Sequence, residues 1–207
     1  MDRRAVPAAA IPTIAAAKAA STPAGQVHRV AAALAAGAIA VALNMALLGA
    51  ADWLDLPTAH GGLLRLLLAV AGDAGRMRPG PLFQAGFHVL VGLGMAVFYG
   101  LVLEPALRRA AAVAGGAGPL ASRGVTARGG VIAWRRGLVD GFLYAAAVWI
   151  ANAAVVLPLT GEGFAGSRHL SLAGMAWFAA AHTLFFIAVA VLFQRFNRVP
   201  RQSSRAG

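Results

Sequence analysis

Four uninterrupted apolar runs constrain this chain more than any other feature. A helix needs about 20 apolar residues to cross the hydrocarbon core of a bilayer. The first run, VAAALAAGAIAVALNMALLGA, covers roughly 30–50, and the others cover roughly 82–103, 138–159 and 171–193. The runs are continuous rather than alternating, which favours helices over a barrel. The expected fold is therefore all-α: one polytopic domain over 28–196, a four-helix transmembrane bundle. Composition agrees, since only 12% of residues are charged, about half the fraction of a soluble domain.

The ends read differently. Residues 1–27 are rich in Ala, Pro and Thr without periodicity and read as a flexible tail. Their basic, acid-poor character also fits an organellar transit peptide, but an Ala-rich bacterial tail is the simpler reading. Residues 197–207 form a second, basic tail.

The net charge is +11, carried almost wholly by arginines that flank the apolar runs. That placement points to a lipid surface and not to nucleic acid. Arg3, Arg4, Lys18 and Arg29 precede the first run. Arg108, Arg109, Arg123, Arg128, Arg135 and Arg136 lie between the second and third, and Arg195, Arg198, Arg201 and Arg205 follow the fourth. One side thus holds 14 of 18 basic residues, against Arg65, Arg76, Arg78 and Arg168 on the other. The positive-inside rule places both termini in the cytoplasm of a bacterium, with the spans in its inner membrane. Trp134, beside Arg135 and Arg136, reads as an interfacial anchor, with Trp53 and Trp177 serving similarly at the outer face. The Gly/Ala-rich loop 110–130 is expected to be mobile.

Residues 61–72, GGLLRLLLAVAG, are apolar but too short to span. They predict a short helix in the first outer loop, lying in the interface, with a re-entrant element as the alternative.

Small residues recur every fourth position: Ala32, Ala36 and Ala40 in span one; Gly92, Ala96 and Gly100 in span two; Gly137, Gly141 and Ala145 in span three. Such stripes let helix backbones approach in lipid, and the span-two stripe could also serve a homo-oligomer. His88 continues that stripe by one turn, so it is expected to face a neighbouring helix. His182 shares a stripe with Gly174, Phe178 and Phe186.

At 1.5 Å per residue, Asn44, His88 and Asn152 fall at one level in the outer half, with His182 deeper. Polar residues at this depth face the bundle interior and pair, so the four are expected to form a layer. The order Asn then His occurs twice, which hints at a duplicated two-helix hairpin. The plainest role of the layer is structural. The alternatives are a path for protons or small solutes, haem b held between His88 and His182, or a metal site recruiting His60 or His169. At the cytoplasmic boundary, Glu104 with Arg108 and Asp140 with Arg136 read as ion pairs. Tyr144 and Asn152 extend Asp140's face into a polar stripe along span three.

The chain has no cysteine, which excludes disulfides, thiolate catalysis and Cys-based metal sites. It carries no HExxH, nucleophile elbow or phosphate-binding loop. No catalytic residue, metal ligand set or cofactor is assigned.

His88, Gly92, Gly94, Tyr99 and Gly100 in span two, with Trp149 and Leu157-Pro158-Leu159 in span three, resemble the YagU-like group of small bacterial inner-membrane proteins of unknown function. The resemblance covers roughly 30–195 and implies a fold, not an activity. The expected role is a non-enzymatic structural or accessory component of a membrane complex, in contact with lipid and with a protein partner or a second copy.

Overall fold

A computed structural model describes residues 22–58, 61–72, 79–114 and 126–198. Four helices long and apolar enough to cross a membrane dominate it: α1, Pro23–Trp53; α3, Pro81–Phe98, continuing into α4, Glu104–Ala114; α5, Thr126–Ala151, ending in the short α6, Leu157–Leu159; and α7, Leu172–Phe196. The protein is an all-α, multi-pass membrane protein. Residues 22 and 198, the end of α4 and the start of α5 lie at one end of the bundle, the tail end. The end of α1, the start of α3 and the α6–α7 connection lie at the other, the hairpin end. His60, Arg76, Arg78, the N-terminal basic residues before Arg29, most of the 110–130 loop, Arg201 and Arg205 lie outside the described residues.

The short helix is α2, Gly62–Val70. It buries Gly62 and Leu64 against the bundle and exposes Leu63, Leu67 and Val70. α1 starts seven residues before the apolar run because Thr22 caps it: Thr22 Oγ1 accepts from the Gly25 amide at 3.2 Å, with Pro23 in the first turn. This is the arrangement that satisfies orphan donors at a helix start.

The bundle has small residues inside and bulky ones outside. α1 buries Ala32, Ala33, Ala36 and Ala40 while exposing Leu34, Ile39 and Leu43. In lipid the outer surface needs no polar cover, and association depends on close backbone approach. The span-two stripe meets α1 and α7 of the same chain: a Cβ added at Gly92 would fall 2.4 Å from Val41 Cγ2, and one at Gly100 would fall 2.8 Å from Phe193 Cε2. Ala96 is fully buried. The stripe is therefore covered within the chain and is not left open for a second copy. Gly141 lies so close to α7 that an added Cβ would fall 2.6 Å from Ile187 Cα.

α7 packs along both α1 and α5, and α1 along α3. Two five-residue π-helical segments interrupt the long helices, Tyr99–Leu103 and Asn152–Val156. Each stands two residues ahead of a proline, Pro105 and Pro158. A proline ring clashes with the carbonyl four residues back in an α-helix, and a π turn widens the helix at that point.

Candidate functional site

Because α3 and α5 do not pack along their length, a cavity of about 580 Å³ remains between them on the hairpin side, with α1 and α7 behind it. Asn44, His88, Asn152 and His182 all line it. Asn44 is 2% exposed, and its Nδ2 donates to His88 Nε2 at 2.9 Å. His88 Nε2 thus accepts, and the proton of the neutral ring sits on Nδ1. The His88 and His182 rings stand 6.4 Å apart, nearly perpendicular. His182 donates through Nδ1 to the Phe178 carbonyl at 2.8 Å and lies on the Phe178 ring at 4.1 Å. Asn152, at the first position of the second π segment, is half-buried in the opposite wall.

This geometry does not suit iron between the two rings. The Nε2 lone pair that His88 would offer to haem accepts from Asn44 instead. Nor does His169 approach them. It pairs with Glu162 at the hairpin end, Nδ1 to Oε2 at 3.0 Å. Among the described residues no three His, Asp or Glu side chains gather as a metal site would require.

Two buried polar atoms of cavity-lining residues have no hydrogen-bond partner among the described residues: Asn44 Oδ1 on α1 and Trp149 Nε1 on α5. The sequence drew attention to Trp149 only through the YagU-like resemblance. Trp177, expected as an interfacial anchor, instead turns inward and donates to the Leu47 carbonyl at 2.8 Å.

Over the cavity lies the start of α2, with Gly61, Gly62, Leu63 and Leu64 in its wall. Arg65 fastens this helix to the α6–α7 connection through Glu162 at 2.6 Å. At the mouth stand the exposed Asp52, Pro81 and Gln84. Toward the tail end the cavity stops at Met95, Ala145, Phe185 and Phe186. There Tyr144 crosses from α5, and its hydroxyl donates to the Met95 carbonyl at 3.2 Å. Tyr144 stacks on Tyr99 at 6.0 Å and packs on Phe186 at 4.4 Å. The polar stripe of α5 is therefore interrupted by an aromatic layer and makes no continuous route.

Beyond that layer lie the boundary acids. Glu104, 1% exposed, holds Arg29 of α1 at 2.8 Å and also Arg108 one turn on. Arg29 further donates to the Gly100 carbonyl, inside the π segment, and lies 5.5 Å from the centre of the Phe193 ring. Asp140 departs from expectation. It is buried and accepts from Gln194 Nε2 at 3.1 Å, while no ion pair joins it to the exposed Arg136. Arg136, one turn before Asp140, is exposed, and the acid is met by Gln194 of α7 instead.

No protein-family model matches the chain, and neither a curated protein nor a solved structure is similar to it.

Proposed function

We propose that this membrane protein binds a small lipid-soluble molecule in the cavity between α3 and α5. One observation carries the reading: a single cavity has Asn44, His88, Asn152 and His182 in a wall that is otherwise mostly apolar. Small-molecule sites have this character, a concave apolar surface of roughly 300–1,000 Å³ with a few convergent polar groups. In the orientation that the arginines favour, the cavity belongs to the outer half of a bacterial inner membrane and both termini are cytoplasmic. The aromatic layer of Tyr99, Tyr144 and Phe186 closes it toward the cytoplasm, which supports a binding site over a conducting path. Among the described residues no Ser or Thr lines the cavity, and the one acid among them, Asp52, stands at the mouth, which supports binding over catalysis. An accessory role in a larger complex would be compatible with such a site, but the small-residue stripes that suggested association are used within the chain.

The absence of cysteine makes the test direct. Ala145 lies on the cavity floor and Ala96 in the α1–α3 contact. In spheroplasts, the thiol of Ala145→Cys should react with a small membrane-impermeant methanethiosulfonate added outside, and that of Ala96→Cys should not. Failure of Ala145→Cys to react from either face would remove the cavity and the reading with it.

A further inference from the structure

The tail end of the bundle presents charge of one sign. Among the described residues six arginines are exposed there: Arg108 and Arg109 on α4, Arg135 and Arg136 on α5, Arg195 on α7 and Arg198 just beyond it. The two acids described at this end, Glu104 and Asp140, are only 1% and 8% exposed. Glu104 is taken up by Arg29 and Arg108, and Asp140 accepts from Gln194. Neither presents a carboxylate to the surface. Of the 14 basic residues on this side, the seven others lie in the flanking stretches 1–21, 115–133 and 199–207, whose one acid is Asp2. By sequence, those stretches bring this end further positive charge and almost no negative charge.

The six arginines form a belt. Gly141 approaches Ile187 and Gly137 approaches Val191, so Arg135 and Arg136 stand level with Phe193 and Leu192 of α7. Gly92 and Gly100 approach Phe185 and Phe193 in step, so Glu104 stands level with Asn197, with Arg108 and Arg109 one turn beyond. The belt is therefore about 15 Å deep, and long arginine side chains reach several ångströms along a helix to the polar edge of a bilayer. Exposed apolar side chains adjoin it: Val102 before Arg108, and Trp134, Val139 and Phe142 on α5. Such side chains face lipid, which puts the arginines where the hydrocarbon passes into headgroups. We propose that this belt binds anionic phospholipid in preference to zwitterionic phospholipid. Guanidinium takes phosphate oxygens in pairs, and every phospholipid offers a phosphate. A zwitterionic headgroup also brings a cation, which meets only arginines here because the acids are buried. An anionic headgroup brings the phosphate without that cation. The proposal is independent of the cavity.

The test is native mass spectrometry of the full chain in detergent, offered equal amounts of phosphatidylglycerol and phosphatidylcholine with identical acyl chains. The phosphatidylglycerol should be retained about tenfold over the phosphatidylcholine, since each basic residue near a lipid surface favours anionic lipid about fivefold. Arg135→Gln with Arg136→Gln should lower that ratio about tenfold. Arg195→Gln with Arg198→Gln, the second exposed pair, should lower it similarly. Arg65→Gln with Arg168→Gln removes the same charge from the hairpin end and should leave the ratio unchanged. All four side chains in the tail-end variants are exposed, so their melting curves should match the parent's. Equal retention of the two lipids by the parent chain would overturn the proposal. So would a loss of preference as large in the hairpin-end variant as in the tail-end ones, which would make net charge, and not this surface, the cause.

Discussion

Asn44 and His88, 44 positions apart, meet through one hydrogen bond of 2.9 Å between α1 and α3. The bond fixes the histidine tautomer and ties the two helices at the level of the cavity. Interhelical hydrogen bonds of this kind contribute roughly 0.6–2 kcal/mol. A double-mutant cycle with Asn44→Ala and His88→Ala, measured by unfolding in detergent, should give a coupling of about 1 kcal/mol. Additive losses would mean the two side chains do not meet.

Glu104 has two arginines that should matter very differently. Arg29 is 16% exposed and Arg108 is 54% exposed. Glu104→Gln leaves Arg29 buried without its counter-charge, and this class of change costs about 3–5 kcal/mol. Arg108→Ala removes a largely solvated partner and should cost about 1 kcal/mol or less. Unfolding midpoints of the two variants decide it, and equal losses would contradict the burial difference.

Gly141 and Gly94 make a matched pair. An added Cβ at Gly141 meets the α7 backbone at Ile187, which cannot swing aside, whereas one at Gly94 meets nothing within 4 Å. Gly141→Ala should destabilise by about 1–3 kcal/mol. Gly94→Ala should leave stability unchanged or raise it by up to about 1 kcal/mol, the helix-propensity gain. Thermal unfolding reports both.

The Arg65–Glu162 pair holds α2 over the cavity at 2.6 Å. Arg65 is half exposed, so the pair contributes only about 0.2–1 kcal/mol, enough to change the population of an opened α2 up to about fivefold. Glu162→Gln should accelerate modification of the Ala145→Cys thiol by that factor. An unchanged rate would mean that α2 does not govern entry.

The long elements were legible because apolar length alone dictates a spanning helix, and the four polar residues were legible because each breaks an apolar run. Their partners were harder to see, for one physical reason. Hydropathy sets the limit of a span at its outermost apolar residue and leaves out the polar residue next to it. The run at 30 stops one short of Arg29, and the run at 193 stops one short of Gln194. Both side chains are drawn into the bundle by buried acids, Glu104 and Asp140. A polar residue adjoining an apolar run is a natural partner for an acid on a neighbouring helix. The cavity was not legible, because it depends on which helices pack along their length and which stand apart. The π segments left a trace in Pro105 and Pro158, each at the far end of an apolar run.

The first π segment also changes what a regular spacing can achieve. In an α-helix of 3.6 residues per turn, positions four apart advance by roughly 40° at each step. His88, Gly92, Ala96, Gly100 and Glu104 would thus wind progressively off the face that meets α1. The wider turn over Tyr99–Leu103 takes up one residue without advancing the helix correspondingly, so the winding is wound back before Glu104 and the acid arrives opposite Arg29. The segment acts as a vernier. A chain shortened by one residue there, with Pro105→Ala to admit an ordinary α turn, should keep the downstream phase, whereas the same deletion in mid-α3 would swing Glu104 by about 100° out toward lipid.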